Sequence, residues 1–539
     1  MDLLAGIDLG STSLKVVVYD LEGRAVAQAS RPTVRHNPYP EHPDWAIWEP
    51  GEIWGGVCEA MREVVGKVGS AGDIKAVAVT GMGMDGVPVG KDGKWLYPFI
   101  SWHCPRTQPQ HKWWTEHIGP QRQFAIGGNQ IWVFNTALRL LWMKENEPQI
   151  LARTDKWLLI EDFVNFMLCG QYATDHSMAS TTLLFDQRKR QWSDELIAEA
   201  GIDRGLLCEP RPSGTVLGQV HATAAEATGL AAGTPVVLGG HDYCCGTLPV
   251  GAFEPGVVLD VTGTWEIVVT ALAEPVLTEQ VREMGIPVHS HVAAADLWSI
   301  MAAAVAGDML EWYRKQFGGA DTPRGQERHL PTLRGCVRRP SSVVHRDRGG
   351  EAGGWEELMA EAEASPAGAN GVMFLPHMSG SHCPVVDHQS MGAFVGLRNI
   401  VSRGDMLRAM IEGLDYQFVQ IVRGLEAALG MRPEKFVAIG GATRNAFWMQ
   451  NKADMIGKPI ETPEIEEPTP LGAAILAGVG VGLYKDVRHA YNTVYRPGCV
   501  YEPDLRLTQR YGQWLDTFER LYPVLKDVHA SIRTGLAGG

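Results

Sequence analysis

Short apolar runs broken by tight turns open the chain. Leu3–Leu9 and residues 14–19 are β-rich and flank the turn Gly10-Ser11-Thr12-Ser13. A second turn, Leu21-Glu22-Gly23, leads into another short run. The pattern predicts an antiparallel three-strand meander, then a helix over 50–68 and a strand over 74–80. Residues 105–200 place apolar side chains at helical spacing, most regularly over 134–144. A strand over 233–239 then runs into Gly240-His241-Asp242.

The opening device returns at mid-chain. Residues 256–270, GVVLDVTGTWEIVVT, again read strand, small-residue turn, strand. Aligning the two hairpins sets Asp8 on Asp260, Thr12 on Thr264 and Val16 on Val268. Two halves that open alike predict a duplicated architecture with a cleft between them. Farther on, 434–441 reads as a strand ending in a glycine pair, and 445–456 as a helix. The small-residue run 470–483 suits a helix packed closely on a neighbour, and 508–525 suits a final amphipathic helix. Residues 319–366, rich in Arg, Gly, Pro and Glu, read as a solvated surface insertion.

A chain of 539 residues is longer than one hydrophobic core usually organises. The formal net charge of −14 repels nucleic acid and anionic membrane, so neither is expected as a partner. The start MDLLAGIDLG has no basic or apolar leader region, which argues against a signal peptide. The nine cysteines form no CxxC pair, which suggests buried thiols in a reduced, cytoplasmic protein. His289 and His291 alternate along one strand and could share an ion, although an ordinary strand-end pair has the same spacing.

No GxxxxGK[ST] cradle, GxSxG elbow or HExxH helix occurs. One GxGxxG spans 81–86, but a strand and a turn follow where a dinucleotide site needs a helix N-terminus. The hairpin turns offer another phosphate device. Gly10, Ser11, Thr12 and Ser13 present backbone N–H groups and hydroxyls with little bulk, and Thr262, Gly263 and Thr264 present the same chemistry from the other half. Asp8 could hold Mg²⁺ through water, and Lys15 could neutralise phosphate charge. Gly440, Gly441, Ala442 and Asn445, at a strand-to-helix junction, leave room for a flat purine. Asp242, in a Gly-flanked strand-end loop, suits a base that accepts a hydroxyl proton during phosphoryl transfer, or simply a helix cap.

In order along the chain, GIDLGSTSLKVVVYD, GGHDYCCGTLPVG, TGTWE, IGGATRNAFWMQNKADMIGKPI and PTPLGAAILAGVGVG resemble the FGGY carbohydrate kinases. The resemblance implies an α/β, two-domain actin-like ATPase fold of duplicated ribonuclease-H-like domains, with ATP and Mg²⁺ in the interdomain cleft. It implies domains 1–250 and 251–539, the first holding mainly sugar and the second mainly ATP. It maps the catalytic base onto Asp242, the phosphate loops onto Gly10-Ser11-Thr12-Ser13 and Thr262-Gly263-Thr264, the adenosine segment onto Gly440 to Asn445, and metal binding onto Asp8 and Asp242.

Within the family, TGMGMDGVPVGKDGKWLYPFISWHCPRT is most similar to the L-fuculokinase branch, whereas the xylulokinase branch has Met-His-Gly in place of Met84-Asp85-Gly86. Sugar contacts are thereby placed at Asp85 and Arg106, beside Met84. A carboxylate and a planar donor fork can orient vicinal hydroxyls, and Trp102 can cover a C–H face. The implied activity is phosphorylation of a terminal hydroxyl of L-fuculose or a related ketose, in a cytoplasmic enzyme that could dimerise. Its alternatives are xylulose, rhamnulose or an autoinducer-2-type signal as acceptor, and an actin- or chaperone-like ATPase that binds protein.

Overall fold

The computed structural model describes residues 1–318 and 355–537. Its first sheet contains β1 (Leu3–Leu9), β2 (Ser13–Asp20), β3 (Ala25–Pro32), β4 (Ile74–Gly81), β5 (Val216–Gln219) and β6 (Pro235–His241). They lie in the order β5-β6-β4-β1-β2-β3. The first three strands form the antiparallel meander expected from the turns, and β1, β4 and β6 run parallel. The second sheet contains β7 (Val257–Thr262), β8 (Trp265–Leu272), β9 (Val288–Ser290), β10 (Trp298–Val305), β11 (Lys435–Ile439), β12 (Ile460–Thr462) and β13 (Cys499–Tyr501). Their order is β9-β10-β8-β7-β11-β12-β13. Here β10, β8 and β7 are antiparallel, while β7, β11 and β12 are parallel. The two halves thus share one strand order, antiparallel meander first and parallel strands next, as the repeated hairpin predicted.

Central strand β1 is apolar on both faces because both are covered. Helix Pro50–Lys67 buries Ile53, Val57, Met61 and Val64 in the core on one face. The opposite face, with Leu4, Val17, Ala76, Ala78 and Val237, is covered by helix Pro468–Gly480, although that helix follows the strands of the second half. A Cβ on Gly6 would collide with the Pro470 carbonyl, and one on Gly472 with the Cys245 carbonyl, so this helix lies in backbone contact with the first half. That is the reason for the small residues read over 470–483.

The second core gathers on the long helix Arg403–Leu429, whose N-terminus is closed by a capping box between Ser402 and Asp405. Of the segment read as an insertion, 319–354 lies outside the described residues. Its end forms helix Trp355–Ala364, which buries Leu358 and Ala362 and pairs Glu357 and Glu361 with Arg403. The last amphipathic segment is two helices, Leu505–Phe518 and Leu521–Ala537. Seven cysteines are buried free thiols, but Cys499 is disulfide-bonded, so the all-thiol expectation fails there. Among the described residues no helix is long and apolar enough to cross a membrane.

Candidate active site

Parallel strands bring the first cluster together. Asp8 on β1 is in register with Thr80 on β4, and Thr80 with Gly240 on β6. Asp8 and Asp242 therefore lie at one carboxyl edge of the sheet, where open α/β sheets bind ligands. The Thr80 hydroxyl donates to the Gly240 carbonyl at 2.6 Å and ties the strand ends. Burial and the nearby charge of Asp242 push the Asp8 carboxyl up to about 7, against the opposing pull of Lys15. Lys15 is itself engaged: its Nζ donates to both carboxylate oxygens of Glu467, at 3.0 and 2.9 Å. Glu467 precedes the helix that crosses back onto the first sheet, and nothing in its local sequence marked it as part of this site.

Asp242 begins the short helix Asp242–Cys245, and its side chain is 35% exposed. Oδ1 accepts from the Tyr243 backbone N–H at 2.6 Å and lies 2.6 Å from His241 Nδ1. These contacts fix one carboxylate oxygen. The His241 backbone N–H donates to Ser177 Oγ at 2.8 Å, and the Ser177 hydroxyl to Asp175. His289 and His291 face this segment from the second half. His289 Nδ1 is 3.0 Å from Tyr243 Oη, and His291 Nε2 is 3.2 Å from Thr247 Oγ1. Burial pushes both imidazoles down to about 3, so they serve as neutral hydrogen-bond partners between the halves. Among the described residues, no group of three or more His, Cys, Asp or Glu side chains is placed to hold a metal ion.

The two small-residue turns stand at the ends of corresponding hairpins. Gly10, Ser11 and Ser13 are partly exposed and Thr12 is exposed, and Thr33 pins the loop through the Gly10 carbonyl at 2.7 Å. In the second loop Thr264 is exposed and Gly263 partly so. Thr262 departs from the sequence expectation: it is buried, and its hydroxyl is engaged by Asp260 at 3.0 Å and Lys452 at 3.1 Å. Gly440 and Gly441 are exposed at the end of β11, but Ala442 is buried. Asn445 Oδ1 caps the helix Ala446–Ile456 by accepting from the Trp448 N–H at 3.0 Å, so its side chain acts first as a cap.

The expected sugar pair is not brought together. Asp85 is fully buried. Its Oδ2 accepts from Trp48 Nε1 at 2.6 Å and the Trp102 N–H at 3.1 Å, and its Oδ1 is 2.8 Å from Arg139 Nη1. Arg106, the anticipated fork, is instead enclosed by the rings of Trp45, Tyr39 and Trp142 at 4.1, 5.0 and 5.0 Å. Asp85 is thus ion-paired with Arg139 beneath the surface. Met84 has φ = 70°, unusual for a residue with a side chain, and its carbonyl accepts from Thr136 Oγ1 and Arg139 Nη1, both at 2.7 Å. Trp102 stays partly exposed, stacked on His103 at 3.7 Å.

Two sheets of one topology, with a carboxylate pair at one carboxyl edge and glycine-bearing loops at the other, define an actin-like ATPase fold built for phosphoryl transfer. Comparison with known proteins agrees. The N-terminal domain of the FGGY family of carbohydrate kinases matches residues 3–249, and the family's C-terminal domain matches 259–481. The chain belongs to this family and is an ATP-dependent carbohydrate kinase. It is 30% identical over 489 residues to L-fuculokinase of Escherichia coli (strain K12), covering 91% of this chain and 94% of that one. It is 26% identical over 538 residues to xylulose kinase of Bacillus subtilis (strain 168), covering 99% of each. The crystal structure of gluconate kinase from Lactobacillus acidophilus matches the fold with a TM-score of 0.85 at 21% identity, over 98% of this chain and 99% of that one.

Proposed function

We propose that the enzyme transfers the γ-phosphoryl group of ATP to a terminal hydroxyl of a ketose, L-fuculose or a stereochemically close sugar, with Asp242 as general base. The carrying observation is the fixed Asp242 carboxylate, whose Oδ1 is held by His241 and Tyr243 beside Asp8 at the sheet edge. As the sugar oxygen bonds to phosphorus and the bond to ADP breaks, Asp242 Oδ2 takes the hydroxyl proton. The turn Gly10-Ser11-Thr12-Ser13 and the N–H and hydroxyl of Thr264 receive the phosphates, and Gly440 and Gly441 receive adenosine. Closing the halves excludes the water that would otherwise hydrolyse ATP.

The charge of Asp242 helps raise the proton affinity of neighbouring Asp8, a crowding of negative charge that suits a hard cation, and the nearby ammonium of Lys15 is engaged by Glu467. Asp8 and Asp242 would hold Mg²⁺, Asp8 through water. When bound, Mg²⁺ neutralises polyphosphate charge. ATP as donor puts the reaction in the cytoplasm.

The ketose reading rests on the Asp85–Arg139 pair beneath Trp102. Nη2 of Arg139 and Nη2 of Arg106 are both buried with no acceptor among the described residues, and a sugar hydroxyl would supply one. Similarity to an L-fuculokinase supports the same substrate, and similarity to a xylulose kinase keeps D-xylulose as the second reading. A panel of ketoses and polyols, assayed for kcat/KM, tests the choice. L-fuculose or a close stereoisomer should lead, and equal values for D-xylulose would refute the specificity. Asp242→Asn should retain ATP binding and lose roughly 10²–10⁴ in turnover. Near-normal turnover would remove Asp242 from the base role.

A further inference from the structure

Directly beneath the second small-residue loop lies a fully buried ammonium. Lys452 is on helix Ala446–Ile456 and has no exposed surface. Its Nζ donates to Asp260 Oδ2 at 2.6 Å, Glu266 Oε1 at 3.0 Å and Thr262 Oγ1 at 3.1 Å. An ammonium has three N–H donors, and three protein acceptors meet them. All three acceptors belong to the hairpin that carries the loop. Asp260 and Thr262 share one face of β7, and Glu266 is the cross-strand partner of Thr262 on β8. One cation therefore closes the mouth of this hairpin from below.

The same helix begins at the turn that carries Gly440 and Gly441. Gly440 has φ = 102°, and a Cβ there would lie 2.5 Å from the Thr262 carbonyl, so the two loops touch through their backbones. Asp415 on the long helix steadies the arrangement by accepting from Trp448 Nε1 at 2.9 Å and Asn451 Nδ2 at 2.6 Å. Burying an ammonium with carboxylates is a poor way to gain stability, because both charges lose water. An apolar side chain would fill the volume at less cost. What the ionic arrangement adds is direction: it sets the Thr262 side chain, and with it the path of Gly263 and Thr264.

We propose that Lys452 is a positioning residue for ATP, locking the second phosphate loop to the adenosine turn so that Thr264 presents its N–H and hydroxyl to the phosphates, while the Gly263 N–H closes the turn onto the Trp265 carbonyl at 2.8 Å. This rests on the assignment of Thr262-Gly263-Thr264 as a phosphate loop.

Lys452→Met keeps the length and removes the charge. The expected result is a 10- to 100-fold rise in KM for ATP, the scale of a displacement of about 1 Å, with KM for the sugar within about twofold. In calorimetry ADP should weaken far more than adenosine, because the loop faces phosphate. Glu266→Gln keeps the Lys452–Asp260 pair and should give a smaller loss of the same kind. It decides the matter if Lys452→Met does not fold. Unchanged ADP affinity with a lowered melting temperature would reduce Lys452 to a structural staple and overturn the proposal. Equal losses for ADP and adenosine would overturn the phosphate part of it. Thr264→Val is the control: if it leaves ADP affinity intact, the loop assignment itself fails. If it weakens ADP while neither Lys452→Met nor Glu266→Gln does, only the role of Lys452 fails.

Discussion

Acid should loosen the joint between the Asp242 segment and the second half through His291. The imidazole is used at both nitrogens. Nδ1 accepts from the Ala293 N–H at 3.0 Å. The Thr247 hydroxyl already donates to the Cys244 carbonyl at 2.6 Å, so His291 Nε2 carries the proton and donates to Thr247 Oγ1. A second proton would have to enter Nδ1, against a backbone donor, in a buried site that also faces the charge of Arg190. Burial first and Arg190 second hold the group down to about 3. In the unfolded chain it titrates near 6.5. A depressed imidazole contributes stability that is complete above pH 6.5 and is lost toward pH 3 as the unfolded state takes up the proton. Between pH 7 and pH 5 the loss is about 2 kcal/mol. His291→Asn provides the comparison, since its side-chain oxygen can still accept from the Ala293 N–H across an Asx turn but does not titrate. Urea unfolding of both proteins at the two pH values should show the native enzyme losing about 2 kcal/mol more than the variant. Parallel pH dependences would refute both the tautomer and the depressed proton affinity.

Two further substitutions test the site's surroundings. Asp85→Asn removes the counter-charge of a fully buried Arg139 and should cost about 3–5 kcal/mol in thermal or urea unfolding; an unchanged unfolding midpoint would show that Arg139 does not depend on that charge. Gly440→Ala introduces strain of about 1–3 kcal/mol at a positive φ against the Thr262 carbonyl, so KM for ATP should rise roughly tenfold or more with KM for sugar unchanged. An unaltered KM for ATP would place the nucleotide elsewhere.

The architecture was legible because local signals agreed. The turn Gly10-Ser11-Thr12-Ser13 and its counterpart at Thr262-Gly263-Thr264 each join antiparallel strands, and their alignment foreshadowed two sheets of one order. Asp242 followed a strand ending in glycines and stands at that strand's end. Side-chain partnership was not legible in the same way. Arg106 was the fork expected from sequence, and nothing there marked Arg139 as the partner of Asp85. Arg106 is enclosed by the rings of Tyr39, Trp45 and Trp142, side chains distant along the chain. Lys452 meets Asp260 and Glu266 across more than 180 positions, and Glu467 meets Lys15 across 452. Thr262 carried the composition of a phosphate loop, yet the pleat of β7 turns its hydroxyl inward to Lys452. The paired histidines had the spacing of a cation site, but they find Tyr243 and Thr247 in the other half.

The helix Pro468–Gly480 imposes an order on the birth of the molecule. A ribosome delivers every strand of the first sheet by His241, but the helix that seals Leu4, Val17, Ala76, Ala78 and Val237 ends at Gly480, 239 residues later. At about 5–20 residues per second, that apolar face waits roughly 10–50 s for its cover. The nascent first half is therefore a natural client for holding chaperones. A fragment ending near residue 250 should aggregate when made alone and should be rescued by co-expression with the remainder of the chain.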